Sequence, residues 1–317
     1  MTEALVAGLL QVVLIVSVAP FITGIIKKIK ACFQTRKGPG IFQPYLDLYK
    51  FMQKESVVSV HTSWIFRVTP YIYFGAVLAA ALLVPAVSTL SLFSYTGDAI
   101  LVIYLFALGR FFLTLAGLDA GSAFGGMASS REMAVSSIAE PALMLSVFTL
   151  AINAGTTNLT GIVSGVDKAG LMSLTPAHIM AFVAIFIVAL AETGRVPVDN
   201  PDTHLELTMI HEGMLLEYSG KPLAMLTLGA SVKQLLIFTL LANLFFPWGI
   251  AAGIGFKALV IATLAYLGKV ILIGLIMAII ETSFAKMRLF KVPELLMGSF
   301  LLGFLGLISK FLFGGSQ

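Results

Sequence analysis

Eight stretches of this chain stay apolar for about 18 to 24 residues, the length an α-helix needs to cross about 30 Å of hydrocarbon. They lie near 4–26, 70–94, 99–118, 134–154, 176–192, 228–247, 257–280 and 294–313, the fifth being the shortest. The chain between them does not dilute the signal: only 11% of the 317 residues are charged, where an ordinary soluble domain carries about 25%. The pattern predicts an all-α integral membrane protein of eight transmembrane helices, one polytopic domain over 1–317, with no repeat, linker or low-complexity segment. The opening "MTEALVAGLLQVVLIVSVAPF" has neither a basic leader nor a small-residue cleavage site and reads as a retained first span.

Lysines and arginines orient the spans. Lys27, Lys28, Lys30, Arg36, Lys37, Lys50, Lys54 and Arg67 crowd the segment after the first run, which places that segment in the cytoplasm. Alternation then puts Arg131, Arg195, Lys221, Lys286, Arg288 and Lys291 inside as well, leaves Lys168 and Lys257 outside, and turns both termini outward. Within the first cytoplasmic loop, "RKGPG" supplies a turn, after which Phe42, Tyr45, Leu48, Tyr49 and Met52 recur at helical spacing opposite Gln43, Asp47, Lys50 and Lys54. That spacing predicts a cytoplasmic amphipathic helix lying in the membrane interface, serving either as an anchor or as the wall of a site.

Charges inside the apolar runs are costly unless paired, so each should face the protein interior. Arg110 and Lys269 sit far from the ends of their runs, and Glu140 and Lys233 one to two turns in from the cytoplasmic side. Two readings stay open for them: a proton or ion path, or structural ion pairs between helices. The Gly-, Ala- and Ser-rich stretch "LDAGSAFGGMASSREMAVSSIAEPALML" allows close backbone approach and places Asp119, Arg131, Glu132 and Glu140 on or just below the cytoplasmic face, with Arg131 expected to pair with an acid.

The stretch "AETGRVPVDNPDTHLELTMIHEGMLLEYSGKP" is the most acidic in the chain. Asn200 or Asp199 suits the cap of a short helix opening at Pro201, with Asp202 favoured at the positive end of its dipole. At 100° per residue Asp202, Glu206 and Glu217 gather on one side, with His204 and His211 on the other. Carboxylates so close do not all ionise cheaply, so one is expected to exchange protons near neutrality. The plainer alternative is a solvated loop that docks a basic partner.

Several chemistries are excluded. A single cysteine, Cys32, provides neither a disulfide nor the thiolates of an iron–sulfur or Cys-rich zinc site. His211-Glu212 lacks the second histidine of a zinc helix, position 215 being Leu. Neither a Walker pattern, a dinucleotide fingerprint nor a nucleophile elbow is present. No metal or cofactor is expected in this chain.

Three motifs, in order, carry a resemblance that covers essentially the whole chain. "ETGRVPVDNPDTHLEL…LLEYSG" is similar to the E-x-x-R-x-P-F-D…E-A-E-x-E-L…E-Y-S-G signature of the complex I subunit 1 family, the membrane subunit at the junction with the peripheral arm. "GPGIFQPYLDLYKFMQKE" and "SSREMAVSSIAEP" resemble that family's first and third cytoplasmic loops. "RKGPG", His204 in place of a carboxylate, the inserted "TMIHEGM" and the ending "ETSFAKMRLFKVPELL" resemble the branch of energy-converting membrane-bound [NiFe] hydrogenases, of formate hydrogenlyase and hydrogenase-4 type. The resemblance implies a non-catalytic subunit of an oxidoreductase complex in the cell (inner) membrane, joining a cytoplasmic redox arm to ion-translocating subunits.

It further implies a [NiFe] site and iron–sulfur clusters in partner subunits, namely hydrogenase large and small subunits, iron–sulfur subunits and antiporter-like membrane subunits; nucleic acid is not among the expected partners. Glu140, Glu192, Glu206, Asp202, Glu217 and Asp199, leading toward Lys233 and Lys269, match a proton or charge relay. Arg131 and Arg195 match its tuning ion pairs, and Arg36, Gly38, Pro39, Gln43, Asp47 and Lys50 the partner-facing loop. The alternatives are a quinone-site subunit of a respiratory complex I and a stand-alone ion transporter.

Overall fold

A computed structural model describes residues 2–89, 98–170, 174–200, 209–251 and 255–313. Among them ten α-helices form in the order α1 Thr2–Phe33, α2 Gln43–Gln53, α3 Trp64–Leu83, α4 Ala99–Asp119, α5 Ala123–Ala154, α6 Leu159–Ala169, α7 Pro176–Glu192, α8 Gly220–Phe245, α9 Phe256–Ser283 and α10 Val292–Phe313. Seven of them (α1, α3, α4, α5, α8, α9 and α10) are long and apolar enough to cross a membrane. The fifth apolar run is α7, whose 17 residues leave it shorter than these.

Two boundaries and one additional helix depart furthest from the sequence expectation, each for a local reason. The second run ends at Leu83 rather than near 94, because Pro85 pushes the preceding Val84 out of the helical region, to φ −77° and ψ 118°. The fourth begins at Ala123 rather than near 134. There the Ser122 hydroxyl accepts a hydrogen bond from Gly125 N (3.1 Å) and starts a helix that takes in Arg131 and Glu132. The short α6 lies outside the eight apolar runs; Asn158 caps it, and Leu159, Ile162, Val163 and Val166 form its buried face.

Packing explains the small residues. On α4 and α5 the backbones cross so closely that a Cβ on Gly125 would lie 2.5 Å from the carbonyl oxygen of Gly117, a contact only glycine permits. At the centre stands α8, buried continuously from Val232 to Phe245 and packed against α1, α2, α3, α6, α7 and α9, while α10 lies on α5 and α7. A helix apolar all round is expected in such a position. Lys233 and Gln234 are therefore held in the middle of the protein.

Helix α2 has no fully buried residue. Tyr45 turns toward α1 and donates its hydroxyl proton to the Ser17 carbonyl, whereas Phe42, Leu46, Tyr49 and Met52 are exposed. Arg36, Gly38, Pro39, Gln43 and Lys50 are exposed too, and Gln43 Nε2 donates to Asp47 Oδ1 at 2.9 Å, one helical turn on.

Candidate functional site

Helix α4 carries Arg110 into the interior, and three carboxylates close around it. Its Nη1 lies 2.6 Å from Glu140 Oε1 and its Nε 3.3 Å from Glu132 Oε1, both from α5, while Nη2 bonds Glu192 Oε2 at the end of α7. Lys233 Nζ, from α8, approaches the same Glu192 oxygen at 2.8 Å. Arg110, Glu132, Glu192 and Lys233 are all buried; Glu140 differs, with 35% of its side chain exposed. Two cations thus face three carboxylates, and the arrangement has room for one more positive charge or proton.

The group placed to supply it is His211. Its Nδ1 lies 3.1 Å from Glu132 Oε2 and its side chain is 24% exposed. Burial alone would lower the imidazole, but the Glu132 carboxylate, by charge and by hydrogen bond, holds it above the ordinary histidine value. Asp199 fixes the loop that carries it. Its Oδ2 accepts from Ile210 N (3.1 Å) and His211 N (3.2 Å), and its Oδ1 pairs with Lys286 Nζ at 2.8 Å.

A second cluster adjoins the first through neighbours in sequence. Arg195, three residues beyond Glu192, donates to Glu281 Oε1 on α9 (3.0 Å) and to Gln234 Oε1 (2.9 Å), next to Lys233. Lys30 on α1 lies 3.1 Å from the other Glu281 oxygen. Here one carboxylate serves two cations. Hydrogen-bonding and ionic contacts therefore run from partly exposed His211 through Glu132, Arg110 and Glu192 to Lys233, and a second set joins Gln234 through Arg195 to Glu281 and Lys30, Lys233 and Gln234 being neighbours in sequence.

A family model described as NADH dehydrogenase matches residues 6–309. The chain belongs to that family. Formate hydrogenlyase subunit 4 of Escherichia coli is 34% identical over 95% of this chain and 97% of its own length. Hydrogenase-4 component C of the same organism is 35% identical over 89% and 88%. A chain in the structure of an archaeal membrane-bound sulfane sulfur reductase has the same fold, with a TM-score of 0.85 at 22% identity, covering 96% of this chain and 99% of that one. With this membership and its apolar helices the chain is a multi-pass membrane protein.

The residues singled out from sequence divide into four groups. Glu140, Glu192 and Lys233 meet in the Arg110 cluster. Asp202 and Glu206, with His204 and the helix expected from Pro201, lie outside the described residues. Asp199 is buried as a loop anchor, and Glu217 is exposed. Lys269 is set apart: its Nζ lies 3.4 Å from Asn243 Oδ1, and Asn243 ties the end of α8 to the Pro85 and Ala86 carbonyls. Asn243 stands about 15 Å along α8 from Lys233, at 1.5 Å per residue, so Lys269, midway along α9, stands apart from the Arg110 cluster.

The pairing of the arginines also differs from expectation. Arg131, expected to pair with an acid, donates to the Met209 carbonyl (3.1 Å), and Glu140 pairs with Arg110. Arg195 pairs with Glu281, the first residue of the ending "ETSFAKMRLFKVPELL", which was not among the expected relay or tuning residues. Asp119 acts as a structural clamp, accepting from Ser63 N (2.8 Å) and Phe66 N (3.3 Å) at the start of α3. Three signals could have found the missed residues: Glu132 adjoins Arg131, Glu281 directly follows an apolar run, and Lys30 closes α1.

Proposed function

We propose that this chain is the membrane anchor and coupling subunit of a membrane-bound [NiFe] hydrogenase, and that its buried charge clusters answer redox events in a cytoplasmic arm with proton movement or electrostatic change. The observation that carries the reading is the nearly end-to-end similarity to formate hydrogenlyase subunit 4 and hydrogenase-4 component C, in a chain whose interior holds a titratable network. In this reading α7 crosses the membrane as the eighth span, both termini face outward, and α2 lies in the cytoplasmic interface with its exposed aromatic residues against lipid or the redox arm. The [NiFe] site and iron–sulfur clusters belong to hydrogenase large and small subunits and iron–sulfur subunits, and antiporter-like subunits carry the ions across the cell membrane. Glu192, Glu140 and Lys233, with Asp202 and Glu206, relay charge; Glu217 and Asp199 shape the approach.

Purification of the complex by a tag on this chain in mild detergent tests the reading. Nickel in the preparation, with hydrogen evolution from a reduced dye, is the expected result. Intact redox partners that contain no nickel and reduce a quinone would overturn it in favour of a complex I-type subunit.

A further inference from the structure

Where the linker from α9 to α10 meets α5 and the segments 196–200 and 209–211 lies a cavity of about 290 Å³. Arg131, Lys286 and Arg288 line it, with Ile210, Met287 and Leu289 between them. These cations come from parts of the chain far apart in sequence, and the main chain holds them in place. Met287 N donates to the Pro197 carbonyl at 2.9 Å, which pins the linker between Lys286 and Arg288. Lys286 is held by Asp199 Oδ1, and Arg131 spends one Nη1 donor on the Met209 carbonyl. The guanidinium of Arg288 is exposed and makes no hydrogen bond or ion pair among the described residues.

We propose that this cavity binds the phosphate headgroup of an anionic phospholipid. The two guanidinium groups match a phosphate in charge and geometry, since a guanidinium fork engages two phosphate oxygens at once. The apolar lining and the surroundings select a lipid over a soluble anion. The linker joins two helices of membrane-crossing length and exposes Phe284 and Phe290 (60% and 87%) on either side of its cations. Aromatic rings beside basic side chains mark the headgroup level of a membrane, and basic pockets between transmembrane helices on the cytoplasmic side hold anionic headgroups. The occupant therefore has its phosphate on Arg131 and Arg288 and its acyl chains along Leu289 and Phe290. This inference uses neither the redox arm nor the charge clusters, so it stands or falls apart from the proposed function.

The test uses the intact complex in mild detergent, stripped of loosely bound lipid and then given vesicle lipid of defined composition: phosphatidylcholine alone, or with phosphatidylglycerol or cardiolipin. Native mass spectrometry and lipid extraction count what is retained. Retention of the anionic lipids over phosphatidylcholine is expected. Arg288→Gln and Arg131→Gln are each expected to lower it about fivefold, the change that corresponds to about 1 kcal/mol per basic residue near a membrane surface, whereas Arg288→Lys, which keeps the charge and loses the fork, lowers it less. Arg288 is exposed, so its variants assemble normally, which size-exclusion elution checks. Equal retention of zwitterionic and anionic lipids, or anionic retention untouched by Arg288→Gln, would overturn the proposal. Protection of the cavity by inorganic phosphate at the level reached with lipid would overturn the lipid as occupant and leave a soluble anion in its place.

Discussion

The two buried clusters are mirror images in stoichiometry. Around Arg110 one guanidinium gathers three carboxylates, with Lys233 sharing one of them. Around Glu281 one carboxylate gathers two cations. The first has an excess of negative charge and reaches a titratable histidine; the second has an excess of positive charge, and both its side chains on α1 and α9 are buried. A group that exchanges protons needs a neighbourhood able to hold one more, so the Arg110 cluster is suited to respond to charge. The Glu281 cluster is suited to tie α1 and α9 to the centre. Joined through Lys233-Gln234 and the turn from Glu192 to Arg195, the two offset each other's charge.

The comparison breaks most severely at Arg110. Removing one partner of a buried ion pair costs about 3–5 kcal/mol, and Arg110→Gln leaves three carboxylates with Lys233 on Glu192 and His211 on Glu132 as their remaining close partners. We expect the variant chain to be lost from the membrane or the complex to melt at much lower temperature, by immunoblot and thermal unfolding in mild detergent. Arg110→Gln with Glu192→Gln should recover part of the loss. A single variant that melts like wild type would mean that the three carboxylates are already protonated and that the stoichiometric argument fails.

Glu281→Gln should rank second. The amide retains one acceptor for Arg195, and what is lost is the charge on hydrogen bonds worth about 1.5–3 kcal/mol each. If the cluster is a tie between helices, Lys30→Met added to Glu281→Gln is less damaging than the sum of the singles, and proton coupling per hydrogen evolved is unchanged. Coupling lost at full assembly would make Glu281 part of the relay and erase the distinction between the clusters.

How much of this was legible in the sequence follows from the range of the interactions. Helix positions rest on local signals, so every apolar run proved to contain a helix. The boundary at Pro85 was legible too, but the apolar residues beyond it masked the proline. Helix α6 escaped because eleven residues fall short of a span, although positions 159, 162, 163 and 166 have helical period. The site was legible as a list of costly charges and not as a set of pairs. Arg110 meets groups as far away in sequence as Glu192, and which carboxylate faces it depends on how α4, α5, α7 and α8 cross. Arg131, expected to pair with an acid, turns instead toward the 209–211 segment.

His211 links the first cluster to solvent and gives it a pH dependence. Its folded-state affinity for a proton is raised by Glu132, so the stability it contributes is fully present below the ordinary histidine value of about 6.5 and is lost as pH rises through the higher folded value. The melting temperature of the wild-type complex should therefore fall across that window. His211→Gln should flatten this part of the profile. The expected effect is smaller than at Glu281, because the ring is partly exposed and Glu132 keeps Arg110 nearby. A wild-type profile identical to that of His211→Gln would show that the imidazole stays neutral and that the Arg110 cluster finds its proton elsewhere.

Glu140 should have the least effect on stability and is the sharpest test of what the clusters are for. Its carboxylate is the most exposed of the three on Arg110, and Glu140→Gln preserves shape and an oxygen for the Arg110 hydrogen bond. It also lowers the excess negative charge. The change in stability should stay within about 1 kcal/mol, as for partly exposed ion pairs, with assembly and hydrogen evolution by a reduced dye retained. A structural ion pair predicts nothing further. A relay predicts that ion movement in sealed vesicles falls while dye-linked hydrogen evolution continues, because the neutral amide neither accepts a proton nor reports a charge change. If both persist together, the Arg110 cluster is a tie like the one around Glu281, and the difference in stoichiometry reflects packing alone.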